Sequence, residues 1–121
     1  MNISEFSALT RLSVHTLRYY EKLGLLSDIA RNRSGHRLYR QKDADWVTFI
    51  SRLKATGMPL QQILEYAQLR KAGDTTFPQR QRLLSEHRDR LQARISEELE
   101  HLQALENKIR YYDDHRPLTS S

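Results

Sequence analysis

The side chains best suited to binding a ligand lie in "HTLRYYEKLGLL", residues 15–26, where an arginine precedes paired tyrosines. If this stretch is helical, His15, Thr16, Arg18 and Tyr19 turn away from its apolar side. Arginine is the residue that most often reads guanine edges in the major groove of DNA. Thr and Tyr hydroxyls bind phosphate oxygens. The pattern favours contact with nucleic acid by these four residues.

A second basic stretch, "RNRSGHRLYR", follows shortly after the first. Asn32, Ser34 and Gly35 favour a turn, and the residues after them mix polar and apolar side chains as a strand does. We predict a short hairpin, or wing, that can reach an adjacent minor groove or its phosphates. The alternative for these cations is ordinary ion pairing, with Arg18 held by a nearby carboxylate such as Glu21 or Glu5. The wing carries four arginines: Arg31, Arg33, Arg37 and Arg40.

Two short helices are predicted to position the first stretch. "SEFSALT" reads as a helix with Ser4 as its N-cap, and Ser13 can cap a second helix that runs to about Lys22. Gly24 follows, as expected after a helix C-terminus. Two helices joined by a tight turn predict a helix-turn-helix, with Tyr20 packed underneath.

Two more helices are predicted after the wing. "DADWVTFISRLKAT" is amphipathic, with Asp43 as its cap and Gly57 at its end. Pro59 suits the first turn of the next helix, "LQQILEYAQLRKA". A break at residues 73–78 then separates this part of the chain from the remainder.

The segment from about Gln79 to Tyr112 contains no Gly or Pro. Nine of its positions alternate in spacing by four and three, which is a heptad seam. A helix of this length is a rod of about 50 Å that a small domain cannot cover, so it needs a partner helix, most simply a second copy. A lone solvated helix is the alternative. Arg88 and Glu98 are the polar members, and the predicted dimerisation residues are Leu84, Leu91, Ile95, Leu102, Leu105, Ile109 and Tyr112. Residues 113–121 read as a flexible tail.

Composition narrows the classes of function. The net charge is +5, and the excess lies in residues 1–60, which carry ten Lys/Arg against five acids. The absence of cysteine excludes disulfides, a thiolate metal site and a cysteine nucleophile. The five histidines show no metal-ligand spacing, and no catalytic constellation or glycine-rich phosphate loop is evident. We therefore expect a cytoplasmic protein that is not an enzyme, with no metal and no cofactor.

The segments "ISEFSALTRLSVHTLRYYEKLGLL", "RSGHRLYR" and "FISRLKATGMPLQQI" resemble the MerR family of bacterial transcription regulators over about residues 2–70. The remaining helix is similar to that of short members grouped with carbonyl- and aldehyde-responsive regulators. The resemblance implies a mostly α fold, in which a winged helix-turn-helix domain precedes a long dimerising coiled-coil helix. The expected divisions are a DNA-binding domain at 1–72, a linker at 73–78, a coiled coil at 79–112 and the tail.

The resemblance also implies a mode of action. Members are homodimers with antiparallel coiled coils that bind palindromic operators in promoter spacers and distort the DNA so that RNA polymerase can engage. Carried onto this chain, DNA contact falls on His15, Thr16, Arg18 and Tyr19, and on Arg37 and Tyr39 in the wing. The alternative is a protein-interaction module whose helix-turn-helix does not bind DNA.

Two departures from the family pattern matter. Arg11 stands where the family's turn usually has glycine, and if the backbone there is left-handed, arginine costs about 1 kcal/mol. The alternative is that Arg11 offers one more contact to phosphate. The aldehyde sensors carry a cysteine in the third helix, where this chain has Ser51 and Arg52. The effector and its chemistry are therefore not assigned. A small ligand near Tyr66, Leu69, Phe77 and Leu84 is one hypothesis, against ordinary core packing of the same residues.

Overall fold

The computed structural model describes residues 1–117. Met1–Leu83 forms one compact unit, and the chain from Leu84 onward forms a second. The described residues contain a two-stranded sheet and a short 3₁₀ helix at Asp74–Thr76. The helices are α1 (Ile3–Thr10), α2 (Val14–Leu23), α3 (Gln41–Ala55), α4 (Leu60–Ala72) and α5 (Phe77–Asp114), and the strands are β1 (Ala30–Arg31) and β2 (Arg37–Leu38). The predicted mostly α fold, with a winged helix-turn-helix and a long helix after it, is confirmed.

Local caps set the bounds of the first two helices. Asn2, not the predicted Ser4, caps α1: its side chain accepts from the Glu5 N–H at 2.8 Å, and its own N–H donates to the Glu5 carboxylate at 3.0 Å. This reciprocal capping box satisfies two N–H groups at once, which a serine inside the helix could not do. Ser13 caps α2 as predicted and accepts from the Thr16 N–H at 3.0 Å. Gly24 ends α2 in a left-handed conformation, with φ 84°.

Arg11 occupies the turn between α1 and α2 in a left-handed conformation, with φ 60° and ψ 24°. Arg11 therefore has the conformation for which a strain cost was expected in the absence of glycine. A side chain with a Cβ atom is strained in this region, so the turn is held by the elements around it. One of these contacts is a hydrogen bond from the Ser7 hydroxyl to the Leu12 carbonyl, at 2.5 Å.

The core of the first unit lies among α1, α2 and α3. The Phe6 ring stacks on Tyr39 with centroids 4.3 Å apart. The Trp46 indole N–H donates to the Leu25 carbonyl at 2.6 Å, and the Arg70 guanidinium lies 4.0 Å from the Trp46 ring centroid. The largest fully buried side chains are Tyr39, Phe6, Leu17, Leu26, Ile50 and Val47.

The wing is an antiparallel hairpin in which Ala30 pairs with Leu38 and Arg31 pairs with Arg37. Its turn is organised by Asn32, whose side-chain oxygen accepts from the Ser34 and His36 N–H groups, both at 3.0 Å. An asparagine that bonds its own following backbone is a common turn device. The predicted hairpin is confirmed.

The remaining boundaries shift slightly from the prediction. Asp43 is not the N-cap of α3 but a first-turn residue whose carboxylate accepts from the Arg40 N–H at 2.9 Å. The predicted break contains the 3₁₀ helix, where the buried Thr76 hydroxyl donates to the Leu69 carbonyl at 2.6 Å. Asp113 and Asp114 of the predicted tail are helical, and residues 118–121 lie outside the described part of the chain. Within residues 1–117, no helix has the length and apolar character needed to span a membrane.

We predict that Arg11→Gly raises the free energy of unfolding by about 1 kcal/mol, because glycine adopts the left-handed region without a Cβ clash. Chemical denaturation monitored by circular dichroism measures the change. The matched control is Arg52→Gly on the exposed side of α3, which should lower stability by about 1 kcal/mol. A loss of stability in both variants would mean that Arg11 makes contacts that outweigh its strain.

Candidate nucleic-acid interface

The two sides of α2 have opposite character. Leu17 and Tyr20 are 1% and 4% exposed and face the core, which confirms the predicted packing of Tyr20. His15, Arg18 and Tyr19 lie on the exposed side. The core contacts of the first pair therefore fix the direction in which the second group of side chains projects.

Thr16 lies at the edge of this exposed side and is half-buried. Its hydroxyl oxygen accepts a hydrogen bond from the Ser13 hydroxyl at 3.0 Å. Because that contact uses the oxygen as an acceptor, the Thr16 hydroxyl proton remains available for a phosphate oxygen. The cap of α2 thus orients a polar group in the first turn of this helix.

A cleft of about 630 Å³ lies between α2 and the wing, with the start of the chain at its edge. We call it the basic cleft. It brings together side chains that are far apart in sequence, and cations outnumber acids along its walls. Such a surface attracts a polyanion because the like charges add to one positive field. The charged side chains of the cleft are Arg18, Glu21, Lys22, Arg31 and Arg37, and His36 lines the cleft beside them.

An ion pair crosses the basic cleft from the wing to α2. The Arg37 Nε donates to a Glu21 carboxylate oxygen at 2.6 Å, with the two side chains 42% and 26% exposed. The hydrogen bond and the charge of Glu21 raise the pKa of the Arg37 guanidinium above its usual value. The pair is too exposed to contribute much stability, but it holds the wing arginine in a defined position.

Arg18 makes no ion pair or hydrogen bond with any residue in the described range 1–117, because Glu21 is engaged by Arg37 and Glu5 by Asn2. The alternative in which Arg18 serves as an internal ion-pair partner is therefore absent from the described structure. An exposed guanidinium at a cleft edge is poised to donate to an external acceptor.

The wing arginines differ in what they contact. Arg31 donates to the Gly35 carbonyl at 2.7 Å and so closes the hairpin. Arg40 is bound to Asp43 and to the Asp28 carbonyl, with distances of 3.2 Å and 3.1 Å. Arg40 therefore joins the wing to α3, while Arg31 and Arg37 line the basic cleft.

The structure places Tyr39 differently from the predicted DNA contact. Tyr39 is 2% exposed, and its ring stacks on Phe6 at an interplanar angle of 11°. Burial raises the pKa of its hydroxyl, and the negative charge of Glu21 adds to the effect. Both residues of β2, Arg37 and Leu38, are exposed, and Tyr39 turns inward directly after the strand ends. Tyr39 is a core residue that positions the wing.

Lys22 and His36 line the basic cleft but are not in the set of contacts predicted from sequence. The folding of the wing over α2 brings His36 into the same cleft as Arg18, whereas Lys22 follows Arg18 by four residues on α2 itself and so lies on the same side of that helix. A winged helix-turn-helix with a basic cleft at its recognition helix has the architecture of a DNA-binding regulator.

Comparisons with known proteins agree with this architecture. The family model described as MerR HTH family regulatory protein matches residues 1–69, and the model described as MerR, DNA binding matches residues 44–110. An uncharacterized HTH-type transcriptional regulator of Haemophilus influenzae is 34% identical over 109 residues, with 90% of this chain and 81% of that protein covered. The HTH-type transcriptional regulator AdhR of Bacillus subtilis is 36% identical over 91 residues, with 75% of this chain and 65% of that protein covered.

Solved structures give the same result. A MerR family transcriptional regulator from Listeria monocytogenes superposes with a TM-score of 0.88 at 36% identity, covering 95% of this chain and 87% of that one. HiNmlR, a MerR family regulator that lacks the sensor domain and was solved bound to promoter DNA, gives a TM-score of 0.82 at 31% identity, with 93% and 90% covered. The chain belongs to the MerR family and is a DNA-binding transcription regulator.

The position of Tyr39 generates a prediction that separates packing from direct contact. Tyr39→Phe keeps the ring stacked on Phe6, so DNA affinity should stay within about twofold of the original protein. Tyr39→Ala removes the ring from the core and should lower the free energy of unfolding by about 3–5 kcal/mol. Fluorescence anisotropy with labelled DNA and chemical denaturation measure the two effects. A large loss of DNA affinity in a stable Tyr39→Phe protein would restore the hydroxyl as a DNA contact.

Proposed function

We propose that the chain is a homodimer that binds a palindromic operator in a promoter spacer and controls transcription by distorting the DNA. The observation that carries the proposal is the exposed Arg18 guanidinium beside the basic cleft, with no partner among residues 1–117. In this proposal, residues 1–72 bind DNA, 73–78 link the parts and 79–112 form the coiled coil. The protein acts in the cytoplasm and is not an enzyme.

The proposed contacts divide by chemistry. Arg18 donates to a base edge or anchors a phosphate, while Thr16, Tyr19 and His15 bind the backbone beside it. Arg37 reaches the same DNA from the wing, where Glu21 orients it until a phosphate takes its place. Tyr39 supports the wing from inside the core.

Exposed apolar side chains on α5 support the dimer. The proposed seam includes Leu84, Leu91 and Ile95, and its later members are largely solvent-exposed in the single chain: Leu102 is 49% exposed, Leu105 62%, Ile109 60% and Tyr112 63%. A row of exposed apolar side chains along one stripe of a helix needs a partner of the same kind. A second copy of α5 supplies it.

Charge along α5 supports an antiparallel arrangement. Residues 77–94 carry five arginines and two acids, whereas residues 95–114 carry six acids and two cations. A parallel pair would place like charges together along its whole length, while an antiparallel pair sets the basic half against the acidic half. The seam spacing is also nearly symmetric about Glu98, so a reversed copy presents its apolar positions at matching heights.

A dimer with two basic clefts has a physical route to DNA distortion. Each cleft binds one half of the operator, and the coiled coil sets the distance between them. If the distance between the two clefts differs from the distance between the operator halves in straight DNA, the DNA must bend or untwist to bind both clefts. This deformation costs on the order of a few kcal/mol. Such a change can reposition promoter elements for RNA polymerase.

The competing proposal, a protein-interaction module, predicts a different salt dependence of binding. A seam that recruits another protein depends on apolar burial, which responds weakly to salt. DNA contacts release counterions, so the affinity falls steeply as salt rises. The bare Arg18 and the clustered cations of the basic cleft favour DNA.

We predict that Arg18→Ala weakens binding to the DNA upstream of the protein's own coding region by roughly 10–100-fold, because one specific donor is lost. Fluorescence anisotropy measures affinity, and sedimentation should show an unchanged dimer because Arg18 lies outside the seam. Arg110→Ala on α5 removes the same charge and is the matched control, with affinity expected near that of the original protein. Equal losses in both variants would show that only overall charge matters.

We also predict that Leu102→Asp dissociates the dimer, because it buries an unpaired carboxylate in the seam. Sedimentation equilibrium at micromolar concentration should report monomers. The control is Gln103→Asp, one residue further along α5, where the added charge faces away from the seam and the dimer should persist. A dimer that survives Leu102→Asp would show that the seam assignment is wrong.

A further inference from the structure

A cavity of about 280 Å³ lies inside the first unit, enclosed by α2, α3 and the start of α4. We call it the α2–α4 cavity. It is separate from the basic cleft, with which it shares no lining residue. Most of its wall is apolar and consists of Leu23, Leu25, Ile50, Met58, Leu60 and Ile63. Four of these six are almost fully buried, so the cavity floor is part of the core.

One cation stands in this apolar wall. Lys54, on the exposed side of α3, lines the cavity with its ammonium 6.0 Å from the Tyr20 ring centroid. No Asp or Glu in the described residues 1–117 lies within ion-pair distance of it. Tyr20 is 4% exposed, and within the same range its hydroxyl makes no hydrogen bond. The cavity therefore combines an apolar body with an unpaired ammonium and a phenol.

Its size limits what can fit. An apolar protein cavity of about 150 Å³ is known to hold benzene, and small-molecule sites begin near 300 Å³. The α2–α4 cavity thus has room for one aromatic ring with a short arm. The Lys54 ammonium at the cavity wall favours an arm that ends in an anion.

We propose that the α2–α4 cavity binds a small monocyclic aromatic carboxylate. The ring packs against Ile50, Met58 and Ile63, and the carboxylate accepts hydrogen bonds from the Lys54 ammonium and the Tyr20 hydroxyl. No covalent step is involved, so the absence of cysteine does not prevent recognition. The site differs from the region of Tyr66, Leu69, Phe77 and Leu84 considered from sequence.

Ligand binding in the α2–α4 cavity can change the affinity for DNA. Tyr19 lines it and is also one of the proposed DNA contacts, so this part of the inference depends on the proposed function. A bound carboxylate places a negative charge beside the Tyr19 side chain and a ring against its helix. Ligand and DNA then oppose each other, and by linkage each lowers the affinity for the other by the same factor.

Methionine methyl groups provide a direct test of binding. The chain has two methionines, of which Met58 lines the cavity at 3% exposure and Met1 does not line it. In protein labelled with ¹³C at the methionine methyls, phenylacetate should shift the Met58 signal and leave Met1 in place. We expect a dissociation constant of about 0.1–10 mM, as is usual for a ligand of about ten heavy atoms. A Met58 signal that stays fixed up to 50 mM phenylacetate, about five times the top of that range, overturns the proposal.

A neutral ligand and matched variants test the role of charge. 2-Phenylethanol has the same ring and arm without the carboxylate, and should bind at least about tenfold more weakly. Lys54→Met should weaken phenylacetate to the same degree, whereas Lys71→Met, which removes an exposed lysine from α4, should not. Leu60→Trp at the exposed cavity mouth should block both ligands while the Met1 signal stays unchanged. Equal binding of acid and alcohol, or an unaffected Lys54→Met protein, overturns the anion site.

The link to DNA is tested separately. Saturating phenylacetate should weaken binding to the upstream DNA several-fold in the original protein and not in Lys54→Met. A Met58 shift without any change in DNA affinity overturns the link and leaves the ligand site intact. Failure of the proposed function is distinguishable, because DNA binding would then be absent before any ligand is added.

Discussion

The stacking of Phe6 on Tyr39 is the contact on which the DNA-binding surface depends. Phe6 belongs to the first helix of the helix-turn-helix and Tyr39 to the end of the wing, so the two rings join elements more than 30 residues apart. The backbone reinforces the contact, because the Tyr39 N–H donates to the Met1 carbonyl at 2.8 Å and its carbonyl accepts from the Met1 amino group at 2.7 Å. With the base of the wing fixed in this way, Arg37 meets Glu21 across the cleft. The buried pair of aromatic rings thus determines the position of a surface cation, Arg37.

The same division between buried and exposed residues explains α2. Its inner side is anchored by Leu17 and Tyr20, and its ends by Ser13 and Gly24, so the outer side is presented on a rigid support. Rigid presentation matters for reading DNA, because bidentate contacts to base edges tolerate little movement. The helix that supplies the proposed DNA contacts also forms one wall of the α2–α4 cavity. A ligand there would act on the recognition helix through the core rather than through a distant domain.

Sequence predicted those features that depend on neighbouring residues. The Ser13 cap, the Asn32 turn and the long helix α5 are set by local sequence, and the left-handed backbone at Arg11 falls where the family's turn usually has glycine. The cap of α1 was misplaced because Ser4 and Asn2 are both good capping residues, and only the return contact from Glu5 selects Asn2. Tyr39 was predicted as a DNA contact but is buried: it follows a strand of only two residues, so no alternating pattern chooses between an inward and an outward side chain. The choice depends on Phe6, which no local pattern links to the wing. The basic cleft and the α2–α4 cavity arise from packing between helices and could not be read from any one segment.

The most direct measurement is the affinity of the protein for the DNA upstream of its own coding region, compared with scrambled DNA of equal length, at several salt concentrations. We expect tight binding to the upstream DNA and much weaker binding to the scramble. The affinity should fall with a slope of roughly one log unit per log of salt for each phosphate contacted. Weak and equal binding to both DNAs would contradict the proposal that the protein recognises an operator. It would mean that the basic cleft is a general polyanion surface on an interaction module.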